Sequence, residues 1–239
     1  MVEAAEKAAA VRRMFGAIAP RYDLLNHLLS LNLDRRWRRQ AVDRLLAGTH
    51  SSGSILDACA GTLDLAAEIA RRPGFGGRVV ACDFSLPMLE HGRDKTTGGR
   101  ISPVCADALR LPLADGSMAG GIVGFGVRNL SSIEAGLTEL ARVLRPGARL
   151  VILEFTTPPR QPLRGLYLLY FRRILPLIGR LVSRHRHAYA YLPASVLEFP
   201  TPPELGAALE RAGFEDVRWE LYSGGIVAAH IAVRAQPSA

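Results

Sequence analysis

The sequence predicts an α/β fold: a mostly parallel sheet with helices on both faces and an antiparallel hairpin as its last two strands. Two observations predict it. From residue 54 onward, short apolar and β-branched runs alternate with helical patterns, and strict alternation calls for right-handed crossovers between parallel strands. After residue 215 the alternation stops, and two strand-like runs follow each other across Ser223-Gly224-Gly225. A Gly-Gly turn of that kind joins antiparallel neighbours.

Taken in order, residues 4–46 carry apolar positions at helical spacing, with a break expected at Ala19-Pro20 because proline suits a helix start. Strands are expected at 54–58, 78–83, 101–105, 120–127 and 149–155, and helices at 62–72, 87–95 and 133–144. In the last of these helices Ile133, Leu137, Leu140, Ala141 and Leu144 make one apolar stripe, and Arg145-Pro146-Gly147 ends it. Ser131 with Glu134 and Thr201 with Glu204 have capping-box spacing, the second followed by Pro202 and closed by Gly213. Strands at 216–222 and 226–234 complete the sheet. The whole, 1–239, reads as one domain: N-terminal helices at 1–46, an α/β core at 54–155, an inserted basic helical cover at 156–200, and a last helix and hairpin at 201–235.

Composition narrows the function classes. Of 239 residues, 49% are apolar and 22% charged, the profile of a globular chain. The net charge of +8 is almost wholly arginine, since Lys7 and Lys95 are the only lysines. It is also concentrated: between Glu154 and Glu198 there is no acid, while Arg160, Arg164, Arg172, Arg173, Arg180, Arg184 and Arg186 supply +7. A uniformly basic nucleic-acid surface is therefore not expected. The longest run free of Asp, Glu, Lys and Arg is 13 residues, short of the roughly 20 that span a bilayer. Early acids and no apolar segment at the N-terminus argue against a secretory signal. With Cys59, Cys82 and Cys105 unable to pair completely, a reducing cytoplasm is the expected setting. The three cysteines recur every 23 residues at expected strand ends. No fourth ligand accompanies them, so buried small residues are expected there and no metal.

Three strand ends carry the chemistry. The first, Ile55-Leu56-Asp57-Ala58-Cys59-Ala60-Gly61-Thr62-Leu63-Asp64, runs from a strand through small residues into a helix, where a ligand can approach backbone N–H groups. Only Gly61 is glycine, so a dinucleotide fingerprint, and with it a nicotinamide oxidoreductase, is disfavoured. The second is Ala81-Cys82-Asp83-Phe84-Ser85. Its acid can accept both hydroxyls of a ribose, or else cap the helix that follows. The third, Cys105-Ala106-Asp107-Ala108, ends in the same way, and the three together define one rim.

With the run Gly124-Phe125-Gly126-Val127-Arg128-Asn129, these segments resemble class I S-adenosylmethionine-dependent methyltransferases, and more narrowly the UbiE/MenG family of quinone C-methyltransferases. Two stretches carry the narrower resemblance: Tyr22-Asp23-Leu24-Leu25-Asn26 continuing to Trp37, and Arg142-Val143-Leu144-Arg145-Pro146-Gly147 continuing to Thr156. Phe199-Pro200 and Gly224-Gly225-Ile226-Val227 add to it. The fold implied is the Rossmann-like methyltransferase sheet. The cofactor implied is S-adenosyl-L-methionine, on Asp57, Gly61, Thr62, Asp83, Phe84, Asp107, Ala108 and Gly124, with Asp83 on the ribose and Asp107 near the adenine. Members of the family usually have glycine at Leu63, histidine at Asp34 and methionine at Leu25. The Leu63 departure places a side chain beside the cofactor-binding turn, and Asp34 puts a carboxylate where an imidazole titrates. These departures keep open a non-catalytic relative that serves as a binding component.

The reaction implied is C-methylation of a polyprenyl quinol, demethylmenaquinol to menaquinol in the first instance, with a benzoquinol ubiquinone precursor or another aromatic or lipid acceptor as the alternative. Arg128 stays protonated and is assigned to phenolate stabilisation or to orienting a water, and Asn129 to hydrogen bonding the ring oxygens. Tyr22, Asp23 and His27 either line the quinol pocket or hold the N-terminal helices together. Within 160–187, Phe171, Ile174, Leu175, Ile178, Leu181 and Val182 share one helical face opposite Arg173, Arg180 and Arg184. Such a helix either lies on an anionic membrane, at the inner membrane face, or packs its apolar side on the core. Pro176 falls inside that stripe and predicts a kink.

Overall fold

The computed structural model describes residues 2–49, 52–96, 98–174 and 186–236. Seven strands form one sheet in the order β3-β2-β1-β4-β5-β7-β6. These are β1 (Ser54–Ala58), β2 (Arg78–Asp83), β3 (Ile101–Cys105), β4 (Met118–Gly124), β5 (Leu144–Phe155), β6 (Phe214–Tyr222) and β7 (Val227–Arg234). β1 to β5 pair in parallel, and β7 inserts antiparallel between β5 and β6. The first three strands coincide with the bounds their apolar runs predict.

Alternation along the pleat sorts the core into two layers. Val151 and Leu153 of β5 join one layer with Trp37, Val42 and Leu45 of α2 (Leu33–Leu46) and with Leu65 and Ile69 of α3 (Asp64–Ala70). Leu150 and Ile152 join the other with Leu137 and Leu140 of α5 (Ile133–Val143) and Leu205 and Leu209 of the helix Pro202–Arg211. Both faces are thus covered, as parallel sheets require.

Three local expectations are corrected. α1 (Val2–Leu29) runs unbroken through Pro20; the chain turns instead at Leu31 and Asn32, both with positive φ. Exposed Pro20 lies on the outer side of this helix, where a missing N–H is least costly. The cap of α5 is Ser132, whose hydroxyl accepts the Ala135 N–H at 3.2 Å, rather than Ser131. The helix expected over 87–95 divides into α4 (Leu86–His91) and a 3-10 turn at Arg93–Thr96. The basic insertion begins with α6 (Leu163–Leu169) and a π turn at Tyr170–Ile174, and it resumes as α7 (Arg186–Glu198). Phe171 is buried against Tyr167 with ring centroids 4.2 Å apart, so this member of the apolar stripe packs inward, as the core-packed alternative has it. Leu175, Pro176, Ile178, Arg180, Leu181, Val182 and Arg184 lie outside the described residues. The capping box of Thr201 and Glu204 is present at the start of α8 (Pro202–Arg211).

Candidate active site

The strand order reverses between β1 and β4, and the loops leaving those two strands separate to form a cleft. About 690 Å³ of space not filled by protein atoms lies there, its mouth included. Its walls come from the ends of β1 (Cys59, Gly61), β2 (Asp83, Phe84), β3 (Asp107, Ala108) and β4 (Gly124, Gly126, Asn129). Phe15 and Tyr22 of α1 close it from above.

The β1 turn is built by backbone conformation. Cys59, Gly61 and Leu63 all have positive φ, at 57°, 53° and 67°. For a non-glycine residue this region costs about 1–2 kcal/mol. At Leu63 the side chain offsets the cost: it is fully buried in the core layer that contains Trp37, and burying a leucine contributes about 1.5–3 kcal/mol. The expectation of a side chain beside the cofactor turn is therefore corrected, since Leu63 points away from the cleft. Room for it comes from Gly92, where a Cβ would lie 2.9 Å from Leu63 Cγ and 2.4 Å from the Thr62 carbonyl oxygen.

Acids fix this turn. Asp83 Oδ2 accepts the Gly61 N–H at 2.8 Å and Oδ1 accepts the Ser85 N–H at 2.8 Å, so the end of β2 grips that of β1. Each oxygen keeps a lone pair for a ligand hydroxyl. Asp57 sits behind the wall, accepting the Ala66 N–H at 2.9 Å through Oδ2 while its buried Oδ1 has no partner. Burial, with the neighbouring charge of Asp83 adding to it, pushes the Asp57 carboxyl up to about 8. Burial also raises Asp83. Exposed Asp107 turns one oxygen to the Leu109 N–H at 2.9 Å. The side opposite is made of close approach: a Cβ on Gly126 would stand 2.3 Å from Cys59 Cβ.

Of the residues singled out from sequence, Gly61, Asp83, Phe84, Asp107, Ala108, Gly124, Asn129 and Tyr22 come together on the cleft. Thr62 does not line it; its hydroxyl donates to Asp23. Arg128 lies under the floor, with Nη1 donating to Glu154 Oε1 at 2.6 Å and to the Phe125 carbonyl. Its guanidinium sits 5.6 Å from the Phe155 ring centroid, and its buried Nε has no partner. Burial raises the Glu154 carboxyl, against the pull of Arg128. Asn129 donates to the Phe125 carbonyl and accepts from the Tyr191 hydroxyl at 3.1 Å, which ties the cover to the floor. Burial pushes the Tyr22 phenol up, while the Arg128 charge works the other way. His27 pairs with Asp34 at 2.8 Å and does not line the cleft. Asp34 is buried and also accepts from Ser30 and Arg38. Burial works to raise it, but these hydrogen bonds and the Arg38 charge hold it below the usual carboxylate value. The carboxylate at this position is a structural partner of the α1–α2 corner.

Sequence reasoning missed Phe15, Met88, Leu109, Leu130 and Ser131 as lining residues. Phe15 had a signal, since it stands seven residues before Tyr22 on the same helix face; the other four had none. Among the described residues no cluster of His, Cys, Asp and Glu could hold a metal, and the cysteines are free.

The donor set fits an adenosyl sulfonium ligand. A buried strand-end carboxylate with lone pairs to spare suits a ribose diol, and a rim that carries Asp83 and Asp107 suits a ligand carrying positive charge. Sheet order, switch-point cleft and strand-end acids together define a class I S-adenosylmethionine-dependent methyltransferase. Within that class the chain belongs to the ubiE/COQ5 methyltransferase family, whose pattern matches residues 1–234.

Its relatives agree along almost their full length. It is 43% identical over 238 residues to the ubiquinone/menaquinone biosynthesis C-methyltransferase UbiE of Geobacter sp. (strain M21), covering 98% of this chain and 100% of that one. It is 47% identical over 223 residues to the demethylmenaquinone methyltransferase of Thermus thermophilus, covering 92% and 100%. Among solved structures, the [4+2]-cyclase SpnF superposes with a TM-score of 0.69 at 15% identity, covering 94% and 95%. A SAM-dependent methyltransferase of Thermotoga maritima, a possible histamine N-methyltransferase, gives 0.65 at 16%, covering 94% and 99%. A cyclase and a methyltransferase on one fold show that the sheet alone does not choose the reaction.

Proposed function

We propose that this protein methylates a ring carbon of a polyprenyl quinol, converting demethylmenaquinol to menaquinol. The observation that carries the reading is one cleft that joins a ribose-accepting carboxylate, Asp83, to a phenol and an amide, Tyr22 and Asn129, above a buried arginine. The family relatives named for menaquinone and ubiquinone methylation supply the acceptor class. S-adenosylmethionine, when bound, supplies an electrophilic methyl group.

Asp83 holds the ribose through its two free lone pairs, Asp107 stands at the adenine end, and Gly61, Phe84, Ala108 and Gly124 shape the wall. Asp57 and Thr62 act from behind it by holding the turn. Tyr22 remains protonated at neutral pH, so it donates a hydrogen bond to one ring oxygen, and Asn129 provides a second contact. Arg128 keeps its charge beneath them and favours the phenolate form of the ring, which makes the ring carbon nucleophilic. Once the ring carbon carries the methyl group it would lose its proton to solvent and the phenolate oxygen would take one back, so that the quinol is regenerated with one net proton released per methyl transferred.

The tail of such an acceptor needs a lipid-side approach. Leu24, Leu28 and Leu31 at the end of α1, and Leu166 and Leu169 of α6, are large exposed apolar residues. The Tyr170 hydroxyl donates to the Leu29 carbonyl, joining the two elements, and Arg164 and Arg173 are exposed on the second. This combination supports peripheral contact with an anionic membrane. Among the described residues no helix is long and apolar enough to cross one.

Incubation with labelled S-adenosylmethionine and a panel of reduced naphthoquinones and benzoquinones tests the reaction. Label is expected on the demethylmenaquinol ring; label on the benzoquinol alone, or on neither, refutes the assignment. Co-sedimentation with anionic vesicles at low salt tests the membrane contact, and protein left in the supernatant would sink it.

A further inference from the structure

One of the two lysines of this chain lies beside the active site without lining it. Lys95, in the 3-10 turn after α4, places its ammonium 2.6 Å from Asp23 Oδ2 and 2.6 Å from Asp64 Oδ1. These acids belong to different bodies. Asp23 sits on α1 next to Tyr22, and Asp64 opens α3 just after the cofactor turn. The other oxygen of Asp23 accepts a hydrogen bond from the hydroxyl of Thr62, the neighbour of Gly61 in that turn. Arg38 of α2 reaches Asp64 from the far side at 3.1 Å. All three side chains of the bridge are about three-quarters buried.

We propose that Lys95 is a positioning residue for methyl transfer: it clasps α1, which carries Phe15 and Tyr22, onto the turn that holds the cofactor. The clasp works through charge balance. Asp23 and Asp64 both touch one ammonium, so without it two carboxylates face each other across the join between α1 and α3 with Arg38, on the Asp64 side, left to offset their repulsion. Hydrogen bonds from Lys95 and Thr62 hold Asp23 below the usual carboxylate value despite its burial, so it stays ionised at neutral pH. Releasing the join lifts the roof of the cleft while leaving the strand-end acids in place. The function served is closure over a bound ligand and exclusion of water, which a transfer of this kind needs. The inference rests on the reading of the cleft as the cofactor and quinol site.

The test measures S-adenosylmethionine binding by calorimetry and amide exchange along α1 with and without that ligand, in wild type, Lys95→Met, Lys95→Arg and Asp23→Asn. In wild type, ligand is expected to slow exchange over residues 15–27. In Lys95→Met, affinity falls on the order of tenfold and the slowing over α1 is lost while exchange in the sheet is unchanged. Lys95→Arg restores both, which simple loss of packing would not. Asp23→Asn, which leaves the Lys95–Asp64 pair in place, behaves as Lys95→Met in direction and carries the test if that variant does not fold. Lys95→Met with wild-type affinity and wild-type slowing overturns the clasp. Wild-type protein that binds no S-adenosylmethionine overturns the reading of the cleft instead, so the two failures are distinct.

Discussion

Arg128 and Glu154 form a buried ion pair beneath the cleft, Nη1 to Oε1 at 2.6 Å, with side chains only 6% and 1% exposed. The same carboxylate oxygen accepts the Phe155 N–H at 2.9 Å, so the pair is anchored to the end of β5 and not to a mobile loop. A charge held so rigidly suits a role in stabilising an anion that forms above it.

Breaking that pair and removing it should have opposite consequences. Glu154→Gln leaves an uncompensated buried guanidinium and is expected to lose about 3 kcal/mol in urea unfolding. The double variant Arg128→Met, Glu154→Leu should regain most of that stability, since an apolar pair of similar volume is often neutral. Turnover should not return with it: a loss on the order of 100-fold is expected while S-adenosylmethionine still binds. Recovery of turnover in the double variant would remove Arg128 from the chemistry.

The approach of Gly126 to Cys59 makes a second prediction. Gly126→Ala forces a Cβ into the 2.3 Å gap against Cys59 Cβ and is expected to cost about 1–3 kcal/mol and to weaken cofactor binding. Adding Cys59→Gly removes the opposing Cβ and relieves a positive φ at that residue. Partial rescue of the melting temperature should follow; additive damage would show that the two loops do not meet as described.

Leu63 offers a third. Leu63→Gly, toward the usual residue of the family, relieves a left-handed backbone but empties a fully buried site. The cavity is the larger effect, so a net loss of about 2 kcal/mol in denaturant unfolding is expected. Cofactor affinity measured by calorimetry should change by less than about twofold, because the side chain faces the core; each factor of ten would be 1.4 kcal/mol.

The pH dependence of the ligand-free protein reports on Asp57. In the folded chain burial holds its carboxyl protonated up to about 8, against an ordinary value of 3.8. A raised folded value means that the folded state binds the extra proton, so its contribution is present at low pH and is lost as pH climbs from 3.8 through about 8. The melting temperature of wild type is therefore expected to fall across the upper part of this window, and that of Asp57→Asn to fall less. Parallel profiles for the two proteins would contradict the buried, unpartnered state of Asp57.

Strand positions were legible because a buried parallel strand must be a short apolar run, and such runs have visible ends. The cofactor wall was legible for a related reason: small residues and an acid at the end of each strand have few other uses. What stayed hidden depends on which surface a residue meets in space. Nothing in the local sequence says that Leu63 turns inward, because the room for it is made by Gly92, far along the chain and on another element. Ser131 and Ser132 are equally good caps on paper, and only the orientation of the loop after β4 assigns one to the helix and the other to the cleft. Pro20 looked like a break because local propensity favours one, but tertiary packing of α1 on α4 carries the helix through. Lys95 gave no signal, since its partners lie 72 and 31 residues away.

The sheet order has a consequence for how the molecule is made. Of the seven described strands β7 is synthesised after the rest, yet it occupies an interior place and bridges β5 to β6. Until it arrives, β5 presents an unpaired border of Leu150, Val151, Ile152 and Leu153, a natural template for a neighbouring nascent chain. The cofactor half of the protein can assemble early, but its edge is sealed only once β7 has been made. Chaperone dependence and aggregation during expression should accordingly respond most sharply to changes in residues 227–234, although none of them lines the cleft.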